Sequence, residues 1–558
     1  MQKLQARNIV KETFEKSFEK ARFIRFIKEL LNHIEELPFV YRGNLIPDAY
    51  EKYISTFERV GKYSDSGTKI DILIVNLKKE TSLERARTAQ RNFIAWYLNG
   101  SRGGEMKDAA LVAFVSPNDE DWRFSLVKME YKFAENKSGK VKVKEEFTPA
   151  RRWSFLVGKN ENSHTAQSRL APIVEDDKIN PTLKQLEDAF NIEKVTKEFF
   201  EKYRELFLKL KESLDEIVEK SKKVREDFKA KDVNTVDFTK KFLGQIVFLY
   251  FLQKKGWFGV KRNKEWGLGS KRFLRELFEK KHGDYKNFFN EILEPLFYEA
   301  LRLERSGDYY SRFDCRIPFL NGGLFDPLND YDWVDTEINI PNEIFSNDIK
   351  TKEGDVGSGV LDIFDRYNFT VKEDEPLEKE VAVDPEMLGK VFENLLEVKD
   401  RKSKGTYYTP REIVHYMCQE SLANYLATEL GNKVSKEEIE TLIKYGESVV
   451  EHDSRVVNEG RETKAYSFKL PQSVRKHAKV LDEKLASIRV CDPAVGSGAF
   501  PVGMMNEVIR TRNALTPYIG KDGDRTAYNF KRHAIQNCLY GVDIDHGAVE
   551  IAKLRLWL

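Results

Sequence analysis

The residues from Ile488 to Phe500, Ile-Arg-Val-Cys-Asp-Pro-Ala-Val-Gly-Ser-Gly-Ala-Phe, run from a short β-like segment through a turn of small residues into a helical pattern that continues over Met504 to Arg510. Such a turn lets backbone N–H groups approach a ligand: Gly496 and Gly498 remove the steric barrier, and the next helix N-terminus adds favourable polarity. Phosphate could be cradled this way too, but the Lys-Ser/Thr ending of a P-loop is missing. A second β-like segment, Cys538 to Ile544, ends in Gly541-Val542-Asp543-Ile544-Asp545. There Asp543 can accept hydrogen bonds from two ribose hydroxyls, while Ile544 offers an apolar surface to an adenine ring. Asp492 is open to two readings, ligand contact or a brace for the turn, and Asp545 to pocket support or a surface helix cap. The two segments lie one supersecondary unit apart, and together they point to a nucleoside-type ligand more sharply than a lone pair of glycines.

A second constellation occupies Tyr63 to Lys79, YSDSGTKIDILIVNLKK, with Asp65, Asp71, Asn76 and Lys78. Carboxylates on neighbouring strands can hold Mg2+, and a lysine can orient or activate water. Along a straight strand of ~3.3 Å per residue, Asp71 and Lys78 would stand roughly 23 Å apart and point to opposite faces, so a shared site requires a bend. Glu19, on the first long helix, is a further candidate metal ligand. In the helix that follows, Gln90 falls in the apolar arc, while Glu84, Arg87 and Arg91 share a flank. A buried Gln needs partners. The flank reads either as a phosphate-contacting surface or as a solvated, salt-bridged helix edge.

These residues must be held by several elements. Phe14 to Ile34 reads as one charged amphipathic helix and Ile70 to Leu77 as a buried strand; Thr81 to Glu84 has capping-box spacing ahead of a helix through Leu98. Strands are expected at Ala109 to Val115, Trp122 to Tyr131 and Arg152 to Val157, with a polar hairpin near Glu135 to Lys142. Thr182 to Ala230, Phe238 to Phe258 and Phe273 to Leu301 carry helical patterns, and Ile317 to Phe325 reads as a turn packed by aromatics. Asn347 to Ser358 is the clearest linker, and Pro385 to Leu396 restarts a helix. The expected organisation is multidomain α/β: an α/β domain over 1–175, a predominantly helical connector over 176–370 and a further α/β segment over 371–558.

In chain order, Gly405-Thr406-Tyr407-Tyr408-Thr409-Pro410, Asp492 to Gly498 and Gly541 to Asp545 resemble the cofactor motifs of adenine-N6 DNA methyltransferases of restriction-modification systems. The resemblance implies the beginning of a class I Rossmann-like domain that binds S-adenosylmethionine. It places Thr409 and Pro410 near the methionine end of the cofactor and the helix from Pro410 to Glu420 along one side of its pocket. The N-terminal region resembles the restriction-nuclease core that combines an Asp with Glu-x-Lys, except that Asn76 stands where the second carboxylate is expected. Together the regions resemble single-chain type IIG restriction-modification enzymes. That resemblance implies double-stranded DNA as partner, with Arg87 and Arg91 as candidate contacts, and cleavage with Mg2+ through Asp71 and Lys78; the few, scattered cysteines make a reducing cytoplasm the expected location. Related adenine enzymes hold the target base with Asn/Asp-Pro-Pro-aromatic, which occurs nowhere in this sequence, and 13 residues follow Asp545. The chain is therefore expected to be a C-terminally truncated portion without methyl transfer. The alternatives are a DNA-binding or assembly fragment with an inactive nuclease-like domain, and a defence methyltransferase without nuclease.

Composition narrows the field less. Among 558 residues, 93 Lys+Arg against 91 Asp+Glu leave a net charge of +2, which neither supports nor excludes nucleic acid. The four Cys and eight His form no close metal-binding cluster in sequence, the cysteines do not suggest a disulfide scaffold, and no apolar run is of membrane-helix length. Oligomeric state is open.

Overall fold

Ile70-Asp71-Ile72-Leu73-Ile74-Val75-Asn76-Leu77 is apolar on both faces, the pattern of an interior strand. It forms the body of β3 (Thr68–Leu77) in a seven-stranded mixed sheet, seen here in a computed structural model. The structure describes residues 1–558 apart from 66, 80, 82, 84–85, 101–103, 131–132, 136–140, 144–149, 321–322, 352–353, 374, 388, 391–408, 464–466 and 521–523. Across the sheet lie β1 (Phe39–Arg42), β2 (Ile54–Asp65), β3, β4 (Ala109–Val115), β5 (Asp121–Met129), β6 (Ala150–Gly158) and β7 (Glu378–Glu380). Pairing is antiparallel except for β3 with β4 and β6 with β7.

The parallel β3–β4 step needs a crossover, supplied by α3 (Arg87–Leu98). Its Phe93, Ile94 and Tyr97 pack on Leu73, Val75 and Leu77. The helix starts at Arg87 with no side-chain cap, later than the Thr81 to Glu84 spacing suggests; Ser82 and Glu84 lie outside the described residues. The N-terminal helix is also divided. Instead of one helix over Phe14 to Ile34 there are α1 (Lys3–Phe14) and α2 (Lys20–Leu31). The break between them lets Phe14, Phe18 and Phe23 all meet the ring of Trp122, a gain in aromatic contact that a continuous helix would forgo.

The middle of the chain is helical. It includes α4 (Ile192–Lys220) and α5 (Thr235–Lys254), whose Ile246 to Leu252 stretch is buried against aromatic rings rather than lipid. No helix among the described residues is long and apolar enough to cross a membrane. The stretch from Asn347 to Ser358, read as a linker, is tied into this region: the Asn347 N–H donates to Asp362 at 2.9 Å, and Asp362 pairs with Arg275 at 3.0 Å.

The C-terminal region contains α6 (Arg411–Leu430), α7 (Lys436–Glu459), β8 (Val490–Asp492), α8 (Ala499–Ile519), α9 (Ala527–Asn537), β9 (Leu539–Gly541) and α10 (His546–Trp557). Ser435 and Glu438 form a capping box at the start of α7. Leu422, Leu426, Ile439, Leu442, Val508 and Leu515 join α6, α7 and α8 in one core, on which the parallel pair β8–β9 rests. The architecture is thus multidomain α/β, with an N-terminal mixed sheet, a helical middle and a C-terminal β/α region.

Contacts gather the chain into two compact units that are not consecutive in sequence. One comprises Met1–Ile192, Asp374–Val381 and Thr409–Ile544; the other comprises Glu193–Glu373, Ala382–Tyr408 and Asp545–Leu558. In the second unit α10 is held by a bidentate pair, Arg555 to Glu373 at 2.7 and 2.8 Å.

Candidate functional site

The glycine turn leaves β8 and enters α8 through two left-handed residues, Gly496 at φ +50° and Gly498 at φ +87°, where a side chain would be strained. Residues 47 positions apart meet here: the Gly496 N–H donates to Asp543 Oδ2 at 2.8 Å. Beside that bond, the Val495 N–H donates to the Val542 carbonyl and the Val542 N–H to the Asp492 carbonyl, each at 3.0 Å. The turn is therefore braced from β9 before any ligand arrives. Asp492 Oδ1 accepts the Ala494 N–H at 3.1 Å, the geometry of a brace. Its Oδ2 is buried and has no hydrogen-bond partner among the described residues.

That orphaned acceptor borders a cavity of about 240 Å3 lined by Met417 and Cys418 of α6 and by Cys491, Pro493, Phe500 and Tyr540. Ile544 is 88% exposed. Thr409 is half-buried and Pro410 is the N-cap residue of α6; Gly405 to Tyr408 lie outside the described residues. Asp545 caps α10, with Oδ1 accepting the Ala548 N–H at 3.1 Å. A buried acceptor, an open left-handed turn and an apolar wall are compatible with a nucleoside cofactor.

The N-terminal candidates are placed differently. Asp71 faces α3 and accepts the Tyr97 hydroxyl at 2.6 Å, with Lys107 Nζ at 3.8 Å; burial pushes its carboxyl above the ordinary range, against the pull of Tyr97 and Lys107. Asn76 lies on the opposite face of β3, where its amide donates to Thr56 Oγ1 at 3.0 Å. Lys78 follows the strand, with its N–H on the Tyr53 carbonyl at 2.9 Å. Asp65 ends β2, paired across the hairpin with Thr68. Glu19 is the N-cap residue of α2, ion-paired with Arg22. Asp71, Asp65 and Glu19 thus sit on three elements, and no group of three or more His, Cys, Asp or Glu among the described residues could hold a metal ion.

Arg87 and Arg91, read from sequence as candidate DNA contacts on a basic flank, are 7% and 1% exposed. Arg87 pairs with Glu380 at 3.0 Å and Glu378 at 3.2 Å; Arg91 pairs with Glu447 of α7 at 3.2 Å. Their guanidinium groups are consumed inside the unit, because the acidic strand β7 and helix α7 cover this flank of α3. Beneath them, Arg123 meets Glu380 at 3.0 Å, and Arg152 donates to Glu378 at 2.8 Å and to Gln90 at 3.0 Å. Burial lowers Arg152 to about 10 despite Glu378. Burial would raise Glu447, but Arg91 and Arg510 hold it down at about 2. Sequence reading missed Arg123, Arg152 and their glutamates. The available signal was a charge at an inward position of an otherwise apolar strand, which requires a buried partner.

No protein-family model matches the chain. It is 30% identical over 348 residues to a putative type II restriction enzyme and methyltransferase of Methanocaldococcus jannaschii, a match covering 58% of this chain and 25% of that protein. The chain therefore spans a quarter of the length of the curated relative it matches. Among solved structures it is similar to the type IIL restriction-modification enzyme MmeI in complex with DNA, with a TM-score of 0.34 and 15% identity, covering 64% of this chain and 35% of that one. The kinship seen in sequence is with a restriction-modification protein, over part of that protein's length.

Proposed function

We propose that residues 409–544 form the S-adenosylmethionine-binding part of an adenine-specific DNA methyltransferase of a restriction-modification system. The observation that carries this reading is the Gly496 to Asp543 hydrogen bond, which unites the glycine turn and the acidic strand end in one site. Similarity to a protein named as restriction enzyme and methyltransferase supports it. Asp543 would hold the ribose hydroxyls, Ile544 the adenine ring and Thr409-Pro410 the methionine end, with Gly496 and Gly498 admitting the ligand to the backbone. When bound, S-adenosylmethionine supplies an electrophilic methyl group. This chain's residues bind and orient it; the Asn/Asp-Pro-Pro-aromatic segment that would hold adenine is absent from the 558 residues. Calorimetry tests the assignment: Asp543→Ala should weaken cofactor binding by ~1.5 to 3 kcal/mol, the worth of a charged hydrogen bond. Equal binding by folded wild type and variant would oppose it.

For the N-terminal sheet, the bonds of Asn76 to Thr56 and of Asp71 to Tyr97 give both side chains structural partners, which favours the reading of a DNA-binding or assembly fragment with an inactive nuclease-like domain over that of a Mg2+ nuclease. Unmethylated DNA incubated with the chain and increasing Mg2+ should stay intact while DNA binding persists. Mg2+-dependent cleavage that disappears in folded Asp71→Asn would restore the nuclease reading.

A further inference from the structure

Gly503 and Glu507 lie four residues apart on α8, and so on one face of the helix. Val414, His415, Cys418 and Gln419 make the matching face of α6. A Cβ on Gly503 would stand 2.6 Å from Val414 Cγ1 and 3.3 Å from Cys418 Sγ, so the side chains of α6 pack directly on the bare backbone of Gly503 at this crossing. One turn further on, the carboxylate of Glu507 is fully buried and tied to α6 twice: His415 Nδ1 lies 3.0 Å from Oε1, and Gln419 Nε2 donates to both oxygens at 3.3 Å. Arg510, from its own helix, adds a third partner at 3.1 Å.

The crossing stands close to both ends of the candidate site. Helix α6 begins directly after Thr409-Pro410, and α8 directly after Gly498. At 1.5 Å rise per residue, His415 lies about 6 Å and Glu507 about 12 Å into their helices. Helices are stiff over such lengths, so whatever fixes the crossing also fixes the spacing between Thr409-Pro410 and the glycine turn. An apolar contact would hold two helices together as well, but would tolerate sliding; a saturated buried carboxylate permits one register.

We infer that Glu507 is a positioning residue of the cofactor site, setting the distance between the Thr409-Pro410 end of α6 and the Gly496–Gly498 turn; the inference rests on the cofactor reading above. The support extends upstream. Arg510 Nε stands 3.6 Å from Glu447, which pairs with Arg91 at 3.2 Å and accepts the Thr88 hydroxyl at 2.8 Å. Helix α3, far upstream of the glycine turn in sequence, is thereby part of the scaffold behind Glu507.

The test uses the full chain as wild type, Glu507→Ala, Glu507→Gln and Gly503→Ala, with S-adenosylmethionine affinity by calorimetry and hydrogen exchange read by peptide. Glu507→Ala should bind roughly threefold to thirtyfold more weakly. Exchange should rise at 409–420 and 494–502 while staying unchanged at 109–115. Glu507→Gln keeps an acceptor for Gln419 and should recover part of both readouts. Gly503→Ala wedges the crossing without touching the carboxylate and should move both in the same direction as Glu507→Ala, which keeps the test alive if that variant fails to fold. A wild type that binds, with folded variants that bind equally or show unchanged exchange at both segments, overturns the positioning role alone. A wild type that binds no S-adenosylmethionine overturns the cofactor reading and the role of Glu507 with it.

Discussion

On α3, Arg87, Thr88, Arg91 and Asn92 put their polar groups on one side of the helix, and each meets carboxylates of β7 or α7 within the same compact unit. At the turn of residues 492–498 the presented polar groups are largely backbone N–H groups braced from β9, with a buried orphaned carboxylate oxygen beside them and exposed Ile544 nearby. Both regions carry residue types suited to contacting a charged or nucleoside ligand. In the first, the fold uses that capacity to join its own elements; in the second, it ties most of the backbone N–H groups internally and leaves the Asp492 Oδ2 atom and the exposed Ile544 side chain for a ligand. Side-chain charge is therefore a poor guide to a binding surface where other elements can cover it, whereas a left-handed glycine turn leaves the backbone open to close approach.

If α3 is structural, removing its charge should cost stability. Arg91→Ala leaves Glu447 buried without its main partner and should lower unfolding stability by about 3–5 kcal/mol, measured by urea denaturation. A loss below about 1 kcal/mol would break the contrast and return Arg91 to a surface role.

Next in size is Glu447. Its carboxyl is held at about 2 in the fold against an ordinary 4.5, so its stabilisation is complete above the ordinary value and is lost as pH falls toward 2. Wild type should exceed Glu447→Gln by roughly 3 kcal/mol at neutral pH, with the gap closing below about pH 4.5. A gap independent of pH in denaturation curves would remove the electrostatic explanation.

Asp543→Ala sharpens the comparison from the other side. It removes the hydrogen bond from the Gly496 N–H, worth about 0.5–1.5 kcal/mol of unfolding stability, even where cofactor binding suffers more. The smallest effect is expected at Glu19, whose exposed pair with Arg22 should make Glu19→Ala worth under about 0.5 kcal/mol in a thermal melt. A large loss there would show that the first two helices depend on a contact the structure does not assign.

Sequence pattern alone located β4 at Ala109–Val115, the body of β3, and the strand–turn–helix of the glycine motif, because each is set by local periodicity and by residues with strong backbone preferences. It also found that Asp71 and Lys78 cannot share a straight strand face, which follows from the two-residue period of any strand. Tertiary structure alone decided the rest. The division of the first helix around Trp122, the burial of Arg87 and Arg91, the brace from Asp543 to the glycine turn and the saturation of Glu507 all depend on partners distant along the chain. The partners of Arg87 and Arg91 lie roughly 290 and 356 residues away, and no local pattern carries that information, because a buried ion pair is specified by which surfaces meet rather than by the sequence around either charge.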